Sequence, residues 1–394
     1  MTARPICEDD ENIALKITNA LKQVCGNNTV ALHEPVFGEQ EKKNVLDCIE
    51  STFISSIGKH ADEFESKIAS YTGAKHAVLT VNGTSALHIA LMLAGVQKDD
   101  EVLIPALTFI ATANAVSYCN AYPHFLDSDP NYFGIDPQSA RNWLESTTKQ
   151  VAGNCVNKKT GRIIRAIIPM HVFGHPCELE SLLKLAQDFN LALVEDAAES
   201  LGSFYKGRHT GTMGVMGVLS FNGNKIITTG GGGAILTNDA KLAEKAKHLT
   251  TQAKVKHPWD FIHDQIGYNY RMPSINAAIG LAQMEKLETS LKLKKKIFEM
   301  YLDAFQNLDC VQLIKEPKSS SSNYWLQTIL LNENIAHMRD DILEATNQAG
   351  YMTRPIWTLM NKLPMYKDSV SAPLPIASGL ERRIINIPSS DFLA

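Results

Sequence analysis

Residues 220–233 of this 394-residue chain read SFNGNKIITTGGGG. An apolar run ends here, a lysine follows at position 225, and four consecutive glycines come after it. The combination is unusual, because lysines favour open surface and glycine runs cost conformational entropy. A partly buried amine at Lys225 would be able to form a covalent bond with a carbonyl carbon. The alternative is a glycine-rich loop that carries an ordinary surface lysine.

Short apolar runs that alternate with helical segments lie on both sides of this stretch. They cover residues 77–81, 101–104, 123–126, 164–168, 191–195, 218–221 and 234–237. Such alternation predicts an α/β fold with a mostly parallel, seven-stranded sheet that is covered by helices on both faces. Ligands of these sheets bind beyond the carboxyl ends of the strands, so each strand end is a candidate site.

The pattern changes near residue 285. A long helical segment at 286–307 is followed by a strand-like segment at 323–331 and a helical one at 338–348. A chain of this length usually exceeds the size of one hydrophobic core. We therefore predict a large domain over residues 1–285 and a smaller α+β domain over residues 286–394.

Two further strand ends carry polar groups. Residues 82–85, Asn-Gly-Thr-Ser, turn directly from a strand into an apolar helix, where hydroxyls and helix N-terminal amides suit a phosphate group. A simple helix cap explains the same residues. Another strand ends at Asp196, where a buried carboxylate can keep a pyridine nitrogen protonated. A metal-binding or helix-capping acid pair remains the alternative there.

The composition limits the classes of partner. A net charge of −4 and a pI near 6.3 disfavour nucleic acid, and the lysine-rich run at 292–296 is interpreted as a solvated helix face. Seven scattered cysteines without a C-x-x-C pair indicate neither a disulfide framework nor a zinc site, and no other metal is expected. The absence of G-x-G-x-x-G and of G-x-x-x-x-G-K-[ST] disfavours a dinucleotide site and a P-loop.

The N-terminal residues and the hydropathy of the chain bear on its location. Residues 8–11 are all acidic and no apolar stretch accompanies them, which argues against a signal peptide. No apolar run approaches the length that spans a membrane. We expect a cytoplasmic protein without a membrane partner.

With these segments in this order, the chain resembles the DegT/StrS-like nucleotide-sugar aminotransferases, from about Pro35 to Pro388. They are a branch of the fold-type I, aspartate-aminotransferase-like enzymes. The resemblance implies pyridoxal 5'-phosphate as cofactor, with pyridoxamine 5'-phosphate as its other form during the reaction. A histidine at the position of Lys225 marks family members that dehydrate sugars, so the lysine favours transamination.

The resemblance also implies roles for single residues. Lys225 is expected to carry the cofactor and move the proton, Asp196 to pair with the pyridine nitrogen, and Phe109 to stack on the cofactor ring. Glu199 stands where the family often has glutamine or histidine, which leaves its contact with the cofactor open. The cofactor phosphate is expected at Gly83, Thr84, Ser85 and Ser220.

The segment from Gly267 to Ser274 contains the family's Gly-x-Asn-x-Arg pattern. In the family the asparagine of this pattern reaches the active site of the neighbouring subunit. Asn269 therefore implies a homodimer whose active sites are shared between the subunits.

The C-terminal runs at 353–366 and 386–390 look like those of members that act on UDP-linked 4-keto-6-deoxy-N-acetylhexosamines in bacterial glycan pathways of the bacillosamine and legionaminic acid type. The resemblance implies amino transfer from glutamate to the C4 keto group. Arg354 would meet the diphosphate, Trp357 a ring or base, and His171 the sugar, although each also suits a purely structural role.

Other functions remain open at this point. One is a GDP-perosamine-type or C3 sugar aminotransferase of the same family, because the core motifs are common to those reactions. Another, of a different class, is a regulator that has kept the fold without turnover.

Overall fold

The computed structural model describes residues 8–55 and 58–394, with side chains from residue 12 onward. Cys7 therefore lies outside the described residues, whereas the other cysteines are free thiols. The α-helices are α1 (Glu8–Cys25), α2 (Glu39–Glu50), α3 (Lys59–Thr72), α4 (Gly83–Leu93), α5 (Ile110–Tyr118), α6 (Pro137–Thr147), α7 (Leu179–Asp188), α8 (Ala240–Thr250), α9 (Ser274–Phe305), α10 (Arg339–Gln348) and α11 (Pro375–Glu381).

The strands follow the same chain order. They are β1 (His76–Thr80), β2 (Glu101–Pro105), β3 (Tyr122–Leu126), β4 (Thr148–Val151), β5 (Asn154–Asn157), β6 (Ile163–Ile167), β7 (Ala192–Asp196), β8 (Phe204–Tyr205), β9 (Arg208–His209), β10 (Met216–Ser220), β11 (Gly233–Thr237), β12 (Lys254–Val255), β13 (Ile262–His263), β14 (Val311–Leu313), β15 (Ser320–Ser321), β16 (Gln327–Leu331), β17 (Arg354–Pro355) and β18 (Ile384–Ile387).

The predicted sheet of seven strands is confirmed. Its order is β1-β11-β10-β7-β6-β2-β3, and only β11 runs antiparallel to its neighbours along this path. Most of the strand residues are buried, which agrees with their continuous apolar runs. The hairpin of β4 and β5, which extends the sheet beside β6, was not predicted, because its strands are short and largely polar.

The strand directions bring the candidate segments to one edge of the sheet. The carboxyl ends of β1, β2, β6, β7 and β10 meet there, and so does the start of the reversed strand β11. Phe109 follows β2, Asp196 ends β7 and Ser220 ends β10. This edge is where a doubly covered parallel sheet binds its ligand.

The C-terminal lobe has its own sheet, β14-β16-β18-β17, and its own hydrophobic core. Helix α9 is one unbroken helix that begins at Ser274, so it crosses the predicted domain boundary at residue 285. Its first half packs in the core of the large sheet and its second half in the core of the C-terminal lobe. Helix α1, which the predicted division places with the large domain, packs through Ile17 and Leu21 in the core of the C-terminal lobe.

Two sequence-based expectations concern charge and membranes. Lys292, Lys295 and Lys296 are exposed as predicted, but Lys294 is fully buried, because α9 turns this position towards the C-terminal lobe. Among the described residues no helix combines the length and the apolar character that a membrane span requires.

Candidate active site

A cavity of about 310 Å³ opens at the carboxyl edge of the large sheet. It is bounded by residues of both lobes. Its lining comprises Asn82, Gly83, Thr84, Leu87, Phe109, Ala111, Met170, Asp196, Ala198, Glu199, Ser220, Asn222, Asn224, Lys225, Trp325 and Trp357. Most of the predicted cofactor residues therefore meet in one place.

Lys225 reaches into this cavity from the loop that follows β10. Its backbone N–H donates to the carbonyl of Asn222 at 3.0 Å, which holds the loop in a tight turn. Its Nζ lies 3.2 Å from Oε1 of Glu199 and 3.9 Å from the centroid of the Trp325 ring. The side chain is only 13% exposed, so this lysine is not the surface residue of the alternative interpretation.

Asp196 ends strand β7 and is buried in the floor of the cavity. Its Oδ2 accepts from the hydroxyl of Thr112 at 2.7 Å, and its Oδ1 accepts from the backbone N–H of Ala198 at 3.2 Å. The hydroxyl of Thr108 in turn lies 2.9 Å from that of Thr112. Burial raises the pKa of Asp196, and the two hydrogen bonds oppose that rise. The carboxyl group is thus held in a fixed orientation in a site that disfavours an uncompensated charge.

Glu199 lies beside Lys225 and is also buried. Its Oε2 accepts from the backbone N–H of Phe173 at 2.9 Å, while Oε1 faces the lysine amine. Burial raises the pKa of Glu199, and the nearby charge of Lys225 opposes the rise. Phe173 adopts a φ of +54°, a left-handed conformation that is unfavourable for a phenylalanine, and its N–H points to Glu199 in that conformation.

The start of helix α4 forms the wall of the cavity that was predicted to hold a phosphate. Asn82 caps the helix, since its Oδ1 accepts from the N–H of Ser85 at 2.8 Å. Gly83, Thr84 and Ser220 line the cavity, whereas Ser85 is buried behind them and is not among the lining residues. The helix cap and the anion site are therefore compatible, because the cap uses the N–H of Ser85, while Gly83 and Thr84, whose N–H groups have no partner within the helix, line the cavity.

Phe109 and Trp357 form the aromatic side of the cavity. Phe109 precedes α5 and is 49% exposed, so it is not the core phenylalanine that a structural role requires. Its ring centroid lies 6.2 Å from that of Trp357, which also packs 5.2 Å from the ring of Phe173. An exposed aromatic face is therefore available to a planar ligand.

His171 is placed differently from the expectation that it contacts the sugar. The side chain is fully buried, its Nδ1 accepts from the backbone N–H of Cys177 at 3.1 Å, and its Nε2 lies 3.2 Å from Oε2 of Glu195. With Nδ1 as an acceptor, Nε2 carries the proton towards Glu195. Both ring nitrogens are used within the protein, and His171 is not among the lining residues.

Arg354 and Asn269 also lie outside this lining. Arg354 is exposed on β17, where its Nη1 donates to the carbonyl of Thr353 at 3.1 Å and lies 3.4 Å from Oδ1 of Asn347. Asn269 is exposed, and its backbone forms an isolated antiparallel β-bridge with that of Thr251. Its predicted role in the site of a second subunit requires this outward position but stays a prediction.

Several residues of the cavity were missed from the sequence. Trp325 and Asn222 line it, Met170 follows β6 into it, and Thr112 orients Asp196 from α5. Asn222 stands in the quoted lysine stretch and was therefore within reach of the sequence argument. Trp325 lies 100 positions after Lys225, in a segment that looked like an ordinary strand, so no local signal connected it with the site.

The sequence and the fold of the chain also match known proteins. Residues 35–394 match the DegT/DnrJ/EryC1/StrS aminotransferase family. GDP-perosamine synthase of Escherichia coli O157:H7 is 37% identical over 365 residues, which cover 93% of this chain and 94% of that protein. UDP-4-amino-4,6-dideoxy-N-acetyl-beta-L-altrosamine transaminase of Campylobacter jejuni is 34% identical over 294 residues, 74% of each chain. The solved structure of Helicobacter pylori PseC, an aminotransferase involved in the biosynthesis of pseudoaminic acid, superposes with a TM-score of 0.83 at 26% identity and covers 92% of this chain and 94% of PseC.

Proposed function

Because this chain belongs to the DegT/DnrJ/EryC1/StrS aminotransferase family, we propose that it transfers an amino group from glutamate to the C4 keto group of a nucleotide-linked 4-keto-6-deoxy sugar. The coarser statement, that it is a pyridoxal-phosphate-dependent sugar aminotransferase, follows from the family itself. The observation that carries the proposal is the largely buried side chain of Lys225, whose Nζ lies 3.2 Å from Oε1 of Glu199 in the cavity that Asp196 also lines.

The residues of the cavity fit the cofactor. Bound pyridoxal phosphate supplies an electron sink for the negative charge left when a proton is removed from the reacting carbon. The cavity offers the three groups that such a cofactor needs: an amine at Lys225, a buried carboxyl group at Asp196, and a helix start with hydroxyls at Thr84 and Ser220.

We assign the roles accordingly. The amides at the start of α4, with the hydroxyls of Thr84 and Ser220, would hold the phosphate. Asp196 would pair with the pyridine nitrogen, and its bond from Thr112 keeps the carboxyl group in place for that task. Phe109 would cover the ring from the exposed side.

Lys225 would move the proton at the reacting carbon through its Nζ atom. The amine needs a neighbour that accepts its hydrogen bonds when it is protonated, and Oε1 of Glu199 at 3.2 Å supplies one. Glu199 is itself fixed through the N–H of Phe173, so the pair has a defined orientation towards the cavity.

Two nucleotide-linked sugars are candidates for the acceptor. Similarity to a GDP-perosamine synthase over 93% of the chain favours a GDP-linked 4-keto-6-deoxy sugar, which becomes the first candidate. The UDP-linked N-acetyl sugar of the sequence analysis is the second, supported by the shorter match to a UDP-sugar transaminase and by the position of Trp357 in the cavity. Arg354, which was expected at the diphosphate, lies outside that lining and no longer supports either nucleotide.

We further propose that the enzyme acts as a homodimer in the cytoplasm. Asn269 is exposed, and the neighbouring loop presents Trp259, Phe261 and Ile266 with 77%, 82% and 83% of their surface exposed. Apolar side chains this exposed on one loop are typical of a surface that another protein covers. A second copy of the chain would cover them and bring Asn269 towards a neighbouring cavity.

The acceptor is tested by offering GDP-linked and UDP-linked 4-keto-6-deoxy sugars with glutamate to the purified protein. We expect equal amounts of 2-oxoglutarate and amino sugar, with the higher kcat/KM for the GDP-linked sugar, and no product from Lys225→Ala. Mass spectrometry and NMR identify the aminated carbon. A higher kcat/KM with the UDP-linked sugar would promote the second candidate, and 2-oxoglutarate formation with neither sugar would contradict the proposed acceptor class.

A further inference from the structure

Trp325 is a third aromatic residue of the cavity, beside Phe109 and Trp357, and it contacts the lysine directly. Its ring centroid lies 3.9 Å from Nζ of Lys225, and only 4% of the residue is exposed. The lysine amine is thus bounded by the face of an indole ring and by Oε1 of Glu199. An ammonium group over an indole face is attracted by the ring quadrupole, most strongly where water is excluded.

The indole ring is anchored to the backbone of the same loop. Its Nε1 donates to the carbonyl of Asn224, the residue before Lys225, at 2.7 Å. One side chain therefore fixes both the main chain just before the lysine and the amine at its end. Trp325 therefore contacts both the backbone just before Lys225 and the Nζ atom at the end of its side chain. A displacement of Trp325 would change both contacts.

The segment around Trp325 is also connected to Glu199. Oδ1 of Asn323 accepts from the backbone N–H of Trp325 at 2.9 Å, while Nδ2 of Asn323 donates to the carbonyls of Glu199 and Leu201, each at 2.9 Å. The two partners of the lysine amine, the indole ring and the carboxyl group, are thus held relative to each other by Asn323.

A buried lysine supports Trp325 from the opposite side. Nζ of Lys294 donates to the carbonyl of Trp325 at 3.2 Å and to that of Ser389, and it lies 3.6 Å from Oδ1 of Asp391. The side chain is fully buried, and burial lowers the pKa of Lys294 to about 8. A buried ammonium group without partners would be very costly, so Lys294 has to keep its contacts with these oxygens. The contacts hold α9 and Trp325 in a fixed position relative to each other.

We propose that Trp325 is a positioning residue that holds the amine of Lys225 between its ring and Glu199, facing the cavity. The inference rests on the proposed function only in taking Lys225 as the lysine that carries the cofactor. It adds a determinant of that lysine's position that comes from the C-terminal lobe. A purely structural tryptophan would fill the same space without affecting how the amine is held.

The test measures how accessible the Lys225 amine is in the full-length protein after removal of the cofactor. A small amine-specific reagent labels the protein, and mass spectrometry follows the Lys225 peptide over time. We expect labelling of Lys225 in Trp325→Leu to be about three- to tenfold faster than in wild type, the range that corresponds to the loss of a partly buried cation–π contact. Trp325→Phe keeps a ring but loses the N–H, so its rate should lie between the two.

Two controls separate positioning from general loosening. Lys294 is buried in the same protein, so its labelling rate reports on unfolding, and it should be the same in wild type and in Trp325→Phe. Trp143→Leu removes another partly buried tryptophan, one that lies outside the lining of the cavity, and it should leave the rate at Lys225 within about twofold of wild type.

Three results would overturn the inference. They are an unchanged Lys225 rate in both Trp325 variants, an equal increase at Lys294, or an equal effect of Trp143→Leu. Because labelling needs no sugar, the result is independent of which nucleotide-linked acceptor the enzyme uses. If no amino sugar were formed with any acceptor, the proposed function would fail while the labelling result remained valid.

Discussion

Asp196 and Glu199 lie three residues apart and have different surroundings in the same cavity. The carboxyl group of Asp196 is held by a threonine hydroxyl and a backbone amide, whereas that of Glu199 faces the amine of Lys225. Burial raises the pKa of both groups. Such sites are built at a cost to the folded chain, which the bound cofactor and its charges are expected to offset.

This cost leads to a prediction for Asp196→Asn. The amide no longer favours a protonated ring nitrogen, so we expect kcat to fall by roughly two orders of magnitude or more. In the cofactor-free protein, the same change should raise the melting temperature by a few degrees at pH 7, because a buried carboxylate is replaced by a neutral group.

The direction of the pKa shift determines how this gain in stability changes with pH. The pKa of Asp196 is higher in the folded protein than in the unfolded chain, so the wild type loses stability as the pH rises through the folded value. The gain of Asp196→Asn should therefore grow as the pH rises above about 4, the ordinary pKa of an unfolded aspartate, and shrink towards zero at lower pH, where the aspartate becomes protonated in both states. Thermal unfolding from pH 3.5 to 8 measures it.

A matched variant should change the melting temperature in the opposite direction. Asp188 pairs with Lys184 and Arg141, and these partners lower its pKa. Asp188→Asn should slightly lower the melting temperature at neutral pH. An Asp196→Asn protein that is less stable than wild type at pH 7, or active within a few-fold of it, would contradict the role given to Asp196.

At the scale of elements, the start of α4 depends on its contact with β11. Gly233 begins β11 and pairs with Thr80 of β1 and Ser220 of β10. A methyl group at Gly233 would lie 2.7 Å from the backbone nitrogen of Gly83. The glycine therefore allows the strand to approach the first turn of the helix, where the phosphate is expected.

We predict that Gly233→Ala destabilises the protein by about 1–3 kcal/mol, because the added methyl group forces the backbone of α4 away from β11. The displaced helix start should also bind pyridoxal phosphate less tightly. Denaturant unfolding of the cofactor-free protein and a cofactor titration measure the two effects.

Gly231 offers the matched control within the same glycine run. A methyl group there would meet its nearest atom, the carbonyl of Val81, at 3.8 Å, which is an ordinary contact. Gly231→Ala should therefore keep both the stability and the cofactor affinity. Equal effects of the two substitutions would mean that the run matters through flexibility and not through the approach to α4.

At the scale of the whole molecule, helix α9 connects the two lobes that form the cavity. Leu287 packs in the core of the large sheet, while Ile297 and Tyr301 pack in the core of the C-terminal lobe. Lys225 comes from the first lobe and Trp325 from the second. The active site thus depends on the relative placement of the lobes, and the proposed homodimer adds a third contributor through Asn269.

The dimer is tested by subunit complementation. If Asn269 acts in the neighbouring subunit, a mixed dimer of Lys225→Ala and Asn269→Ala contains one complete site and one doubly damaged site. Equal mixing with random exchange should therefore restore about one quarter of the wild-type activity from two nearly inactive proteins. Glutamate-dependent amination of the accepted sugar is the measurement.

Two controls belong to this experiment. Native mass spectrometry of the mixture establishes that the subunits have exchanged, and the exposed Gln265→Ala in the same segment should retain activity when assayed alone. Complete exchange without recovered activity would place Asn269 outside the neighbouring site.

Local patterns in the sequence were sufficient to predict the seven strands of the main sheet, the edge at which the parallel strands end, and the presence of Lys225, Asp196, Glu199 and Ser220 at that edge. These features depend on local patterns, because apolar periodicity and the direction of parallel strands bring strand ends together without further information. The glycines beside the lysine and at the start of α4 belong to the same local chemistry.

The distant groups that surround the lysine became apparent only from the packing of the folded chain. Trp325 follows Lys225 by 100 positions, and Lys294 of α9 supports Trp325. Neither contact follows a regular spacing along the chain from which it could have been predicted. The same holds for His171, which is buried against Glu195, and for Arg354, which faces outward. Side chains meet across elements through packing, and packing depends on the whole arrangement of helices and strands rather than on neighbours in the chain.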